Sequence, residues 1–146
     1  MREETPSSHV VRAGLRDAGD IVRFLALHPE VAMQAWQGEH QLRRLLQQSV
    51  AIAVLARSPA GDVEGALVGG VLGTRGMVNH IAVKSARRGS GLGGRLVREF
   101  ESALREHGIR RYFLFTSCDN WLARRFWTDQ GCAEMTGMEI TYERDF

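Results

Sequence analysis

A chain of 146 residues, 44% hydrophobic and 25% charged, carries enough apolar side chain for one substantial core, and its ordinary composition excludes a fibrous or low-complexity protein. A net charge of +2 is too mild to argue for nucleic acid, and of the arginine pairs at 43/44, 87/88, 110/111 and 124/125 only the second sits on a candidate anion site. Cys118 and Cys132 are too few for a disulfide framework and lack metal-ligand spacing, no apolar run approaches membrane-span length, and MREETPSSHV is acidic where a signal peptide is basic, so a soluble cytoplasmic protein with residues 1–8 frayed, no metal and no membrane or nucleic-acid partner is expected.

In chain order, His9 to Ala13 reads as a short first strand. Asp17 offers an N-cap to a helix carrying Ile21, Phe24, Leu25 and His28 at helical spacing, and His28-Pro29 ends it. Pro29 can start a second helix, which Gly38 breaks or bends and which buries Leu42, Leu45, Leu46 and Ser49. Val50 to Ala56 is a continuous apolar run that forms a hairpin with Val63 to Leu72 across the turn cluster SPAGD. Gly65, Gly69, Gly70 and Gly73 weaken the second strand of that hairpin and mark a bulge or a close backbone approach. Thr74-Arg75-Gly76 then turns the chain into a central strand, Val78 to Val83.

Beyond that strand, a basic link from Lys84 to Arg88 leads into Gly89, Ser90, Gly91, Leu92, Gly93 and Gly94. Leu92, Leu96, Phe100 and Leu104 recur every four residues, so a helix starts inside the glycine run and ends near Gly108. The first N–H groups of a helix lack intrahelical partners and carry the positive end of its dipole, which suits a loop opening onto them for holding phosphate. Glycines there let backbone approach a pyrophosphate, and Arg88 adds a fork of donors. Tyr112 to Thr116 reads as a strand parallel to the central one. Asp119 or Asn120 caps a last helix that Gly131 ends, and Cys132 to Met135 with Met138 to Glu143 reads as a closing hairpin around Thr136-Gly137.

Two readings compete for the glycine loop. GSGLGG satisfies the dinucleotide fingerprint G-x-G-x-x-G, but five residues separate it from its strand, about half the chain precedes it, and the following strand ends in Ser117 where an acid is needed. RGSGLG instead resembles the R/Q-x-x-G-x-G/A signature of the GNAT superfamily of N-acetyltransferases. Downstream, NWLARRFWTDQGC, from Asn120 through Ala123 and Phe126 to Cys132, resembles the second signature of that family, N-x-x-A-x-x-F-Y-x-x-x-G-F. Element order agrees more loosely over roughly Val10 to Glu143.

The resemblance implies a single domain over residues 1–146, in the α/β (α+β) class, with a mixed, mostly antiparallel sheet of six to seven strands flanked by about four helices. It implies acetyl-CoA as co-substrate. Its pantetheine arm pairs with strand backbone near Ile81, Ala82 and Val83, its phosphates sit on the loop from Arg88 to Gly94, and Asn120, Ala123 and Phe126 contribute from the second signature. An amine attacks the thioester directly, and a homodimer is a common assembly in the family. The family often places a tyrosine general acid where this chain has Trp127, whose indole N–H can donate a hydrogen bond but not usefully give up a proton.

His80, in the central strand, is the candidate base because an unperturbed imidazole titrates near working pH; the competing reading is a histidine hydrogen-bonded at the sheet surface. Cys118, Trp36 and Trp121 read as a spectator thiol and as core or helix-surface residues. Three classes of function stay open: an N-acetyltransferase acting on a primary amine of a small molecule or peptide, a CoA-binding or interaction module without catalysis, and a nucleotide-dependent enzyme. No motif in the first two helices specifies the acceptor. Glu39 could attract a cationic amine or simply be a solvated charge.

Overall fold

Residues 9–13, 51–57, 63–72, 75–83 and 112–114 pair in chain order into one five-stranded sheet. In the computed structural model, which describes residues 7–28, 31, 37–135, 137 and 139–145, β1 (His9–Ala13), β2 (Ala51–Arg57), β3 (Val63–Leu72) and β4 (Arg75–Val83) are successively antiparallel, and β5 (Tyr112–Leu114) is parallel to β4. The chain divides after Phe115 into two compact units. The first holds the sheet with α1 (Ala18–Ala26), α2 (Glu39–Leu46) and α3 (Leu92–Glu106), and the second holds α4 (Trp121–Asp129).

β2 reads as an unbroken apolar run because both its faces are covered. On one face Ala53, Leu55, Ala66, Val68 and Ala82 pack with Ile21, Phe24 and Leu25 of α1 and Leu42 of α2. On the other, α3 lays down the buried stripe Leu92, Leu96, Phe100 and Leu104 expected from its four-residue spacing. The strand glycines set how close that helix comes. A Cβ on Gly65 would lie 3.0 Å from Leu96, one on Gly69 3.0 Å from Phe100, and one on Gly76 2.7 Å from Leu104. Gly76 is therefore not turn but strand, and β4 begins at Arg75, earlier than the expected Val78, because removing the side chain at 76 admits Leu104 beside Tyr112.

Both long-helix ends close as expected. The Ile109 N–H bonds the Leu104 carbonyl with Gly108 at φ +74°, and the Cys132 N–H bonds the Trp127 carbonyl with Gly131 at φ +87°, the paired hydrogen bonds of a Schellman cap. Gly38 caps the start of α2, which stops at Leu46, so Ser49 lies beyond the helix and its carbonyl instead takes a hydrogen bond from His107 Nε2 at 3.0 Å. The helix start expected at Pro29, and Trp36, fall outside the described residues.

The expectation of six to seven strands is corrected to five among the described residues. β5 stops at Leu114 rather than Thr116, and the described residues of the closing hairpin, 132–135 and 139–143, carry no strand. Ile140 and Tyr142 are 79% and 91% exposed, so the alternation of the tail buries no face, and an unburied hairpin has too little to hold it together.

Candidate active site

The site begins with a fault in the sheet. Val68 opposes His80 but its neighbour Gly69 opposes Val78, so Asn79 is an extra residue on β4, a β-bulge. Simple alternation would put Val78 and His80 on one face. The bulge reverses the phase: Val78 is buried on the α3 side, whereas His80, opposite Val68, joins the α1 and α2 side with Asn79 next to it. Two consecutive polar residues, Asn79 and His80, inside an apolar strand are the sequence signal for this bulge.

The bulge also ends the β4–β5 ladder, whose register runs only from Gly76 to Val78 opposite Tyr112 to Leu114. Ile81, Ala82 and Val83 lie beyond that ladder. Their backbone groups on the β5 side have no strand partner there among the described residues. Such an edge pairs with whatever extended amide chain lies against it.

β4 then runs through a single helical turn, Ser85–Arg87, into the glycine loop. Gly89 and Gly91 have φ +77° and +84°, and a Cβ on either would meet nothing within 4 Å, so each borders open space. Gly91 is the N-cap of α3 and supplies no side-chain cap. The N–H groups of Leu92, Gly93 and Gly94 precede the first intrahelical bond, from the Arg95 N–H to the Gly91 carbonyl. Only backbone is offered here, because the Leu92 side chain and Gly94 are buried. Arg88 is exposed and extended, while Arg87 turns inward, its Nε 3.1 Å from the buried Glu64 carboxylate. Ser8 Oγ donates to the same carboxylate, and these contacts hold Glu64 below the usual carboxylate range against the opposing effect of burial. The Arg87 carbonyl in turn accepts from the Ser90 N–H and hydroxyl, so Glu64 anchors the loop. Nothing in the sequence pairs Glu64 with Arg87; only the fold does.

His80 faces a cavity of about 210 Å3 whose apolar wall is Leu25, Leu42, Leu45 and Val68. Gln37, Gln41 and Asn79 supply its remaining polar lining. Burial pushes the imidazole pKa down, so at neutral pH the ring is uncharged. Gln37 Nε2 lies 2.9 Å from His80 Nε2, and donation from the amide places the imidazole lone pair on Nε2, facing the cavity.

In the second unit, Asn120 Oδ1 accepts from the Ala123 N–H at 3.1 Å, capping α4. Phe126 packs edge-on against the buried Trp127, centroids 5.0 Å apart. Trp121 is a helix-surface residue with the Arg124 guanidinium 4.2 Å above its ring, and Cys118 is exposed. Of the tyrosines, Tyr112 donates to Glu101 at 3.2 Å and packs against Phe100, and Tyr142 is exposed. Among the described residues no His, Cys, Asp or Glu cluster could hold a metal, and no helix is long and apolar enough to cross a membrane.

The fold is shared with solved acetyltransferases. Ribosomal-protein-alanine N-acetyltransferase from Brucella melitensis biovar Abortus 2308 superposes with a TM-score of 0.75 at 21% identity, covering 96% of this chain and 99% of that one. Aminoglycoside antibiotic 6'-N-acetyltransferase AAC(6')-Ih from Acinetobacter baumannii gives 0.77 at 15% identity, covering 95% and 98%. AAC(6')-Iy, solved with the bisubstrate analog CoA-S-monomethyl-acetylneamine, gives 0.78 at 13%, again covering 95% and 98%. No curated protein matches the sequence. The sequence itself matches the Acetyltransferase (GNAT) family over residues 23–132, a span that contains α2, the bulged strand, the glycine loop and the Asn120 signature, and the chain therefore belongs to the GNAT family as an acetyl-CoA-dependent N-acetyltransferase.

Proposed function

We propose that this enzyme binds acetyl-CoA along the open side of β4 and at the start of α3, and that His80 deprotonates the amine that attacks it. The observation that carries the reading is the coincidence, at one bulge, of the end of the β4–β5 ladder with the turning of His80 into a cavity. Backbone at Ile81, Ala82 and Val83 suits the amide groups of the pantetheine arm, and the loop from Arg88 to Gly94 suits the pyrophosphate. The open space at Gly89 and Gly91 fits a bulky anion, which a side chain at either would obstruct. Asn120, Ala123 and Phe126 are assigned to the same co-substrate by their place in the second signature. Because the family match crosses the boundary between the two units, we read the chain as one catalytic domain; the cytoplasm as its location rests on composition alone, and a homodimer on the family resemblance alone.

In this mechanism a neutral amine displaces the Gln37 amide from His80 Nε2 and attacks the thioester carbonyl. A C–N bond forms, the C–S bond breaks, the ammonium proton passes to Nε2, and the electron pair leaves on the CoA sulfur. Trp127, at the family's tyrosine position, cannot supply a proton to that sulfur, so the thiolate takes one from another donor or from water, or leaves without an acid. Most of the rate comes from holding amine and thioester together.

Thermal unfolding with acetyl-CoA, CoA, NAD and ATP tests the co-substrate. A ligand at 100 times its Kd stabilises by about 2.7 kcal/mol, several degrees in a domain of this size. A shift with both CoA species and not with NAD or ATP, lost in Gly91→Glu, is expected. A shift with NAD alone would return the loop to a dinucleotide.

A further inference from the structure

The cavity over His80 says what kind of amine it takes. Its described lining contains no charge of either sign: four aliphatic side chains, three amides, and an imidazole held neutral by burial. The acidic residues on α1 and α2 are already engaged. Glu39 holds Arg43 at 2.8 Å, Asp20 holds Arg23 and, at 3.0 Å, Arg57, and Asp17 also reaches Arg57 at 3.1 Å. None is left to receive a substrate ammonium without surrendering a partner. An ammonium or carboxylate brought against Leu25, Leu42, Leu45 and Val68 would lose hydration with no counter-charge among the described lining residues. Size points the same way: about 210 Å3 is below the roughly 300–1,000 Å3 of pockets for drug-sized ligands.

Resting on the acetyl-transfer reading above, we infer that the acceptor is a small primary monoamine with an uncharged apolar body, and not a polycation. The body lies against the aliphatic wall, and the amine, entering neutral, takes the place of the Gln37 amide at His80 Nε2. Gln41 and Asn79 are left to hydrogen-bond a polar substituent on the body.

The test uses the full chain with acetyl-CoA and follows CoA release over a panel: 2-phenylethylamine and hexylamine as apolar monoamines, spermidine and neamine as polycations, and an alanine tripeptide as a peptide N-terminus. Acetyl-CoA binding is measured on the same samples by thermal shift. The expected result is kcat/KM at least about tenfold higher for the monoamines than for either other group. A second arm uses Gln41→Glu, which places a carboxylate in the lining. It is expected to raise kcat/KM for hexane-1,6-diamine relative to hexylamine by about tenfold, the ratio that 1.4 kcal/mol of new ion pairing gives. Preference for spermidine, neamine or the tripeptide, or no monoamine turnover by a protein that binds acetyl-CoA, overturns the inference and leaves the co-substrate reading standing. Loss of acetyl-CoA binding itself is the separate failure of that reading.

Discussion

Glu64→Gln isolates the anchor of the glycine loop. The substitution keeps the shape of the side chain and a partner for Ser8 Oγ but removes the charge facing Arg87 Nε at 3.1 Å. Glu64 is 8% and Arg87 20% exposed in its side chain, so the pair is largely shielded from water, and a hydrogen bond to a charged partner in that setting is worth about 2 kcal/mol. At 2–4 °C per kcal/mol the midpoint of thermal unfolding falls by roughly 4–8 °C. The effect depends on pH in a definite direction. Since the folded-state pKa of Glu64 is lowered, its contribution is complete above the unfolded-state value of about 4.3 and disappears as pH falls through the lower folded-state value. Wild type and variant therefore differ by a constant amount from pH 6 to 8 and converge in acid. Because Arg87 positions Ser90 through its carbonyl, a loosened loop raises KM for acetyl-CoA while kcat changes little, the pattern of lost ground-state binding. Thermal unfolding across pH 3 to 8 and steady-state kinetics at pH 7.5 check both parts. A pH-independent stability difference, or a fall in kcat at constant KM, would refute the reasoning.

His80→Ala removes the proposed base and lowers kcat by about 100-fold or more. In wild type the acid limb of the kcat/KM profile has its midpoint below 6.5, because burial favours the neutral ring; the limb vanishes in the variant, and an unchanged profile would place the base elsewhere. Gly69→Ala sets a Cβ 2.2 Å from the Met77 carbonyl and 3.0 Å from Phe100, next to the bulge, and is expected to cost about 3 kcal/mol by chemical denaturation, whereas Gly14→Ala, with nothing within 4 Å, costs under about 0.5. Phe100→Ala empties the centre of the α3 interface, where the ring is fully buried, and should cost about 3–5 kcal/mol in the same assay.

The sequence by itself determined what is periodic or local. The stripe of α3 follows from a four-residue repeat, the β2–β3 hairpin from an unbroken apolar run ahead of a turn cluster, the ends of α3 and α4 from Gly108 and Gly131, and the strand–loop–helix order of the site from glycines that tolerate positive φ. These depend on residues within a few positions of one another, so the code for them is contiguous. Only tertiary structure decided what depends on a distant partner. Gly76 is a strand residue because Leu104 presses on it, and Glu64 matters because the fold delivers Ser8 and Arg87 to it. The tail alternates like a strand yet is none among its described residues, because alternation forms a strand only where a neighbouring edge accepts its hydrogen bonds. His80 turns into the cavity for the same reason: the pairing of β3 with β4 slips by one residue at Asn79, and in a two-residue repeat a slip of one moves every later side chain to the opposite face.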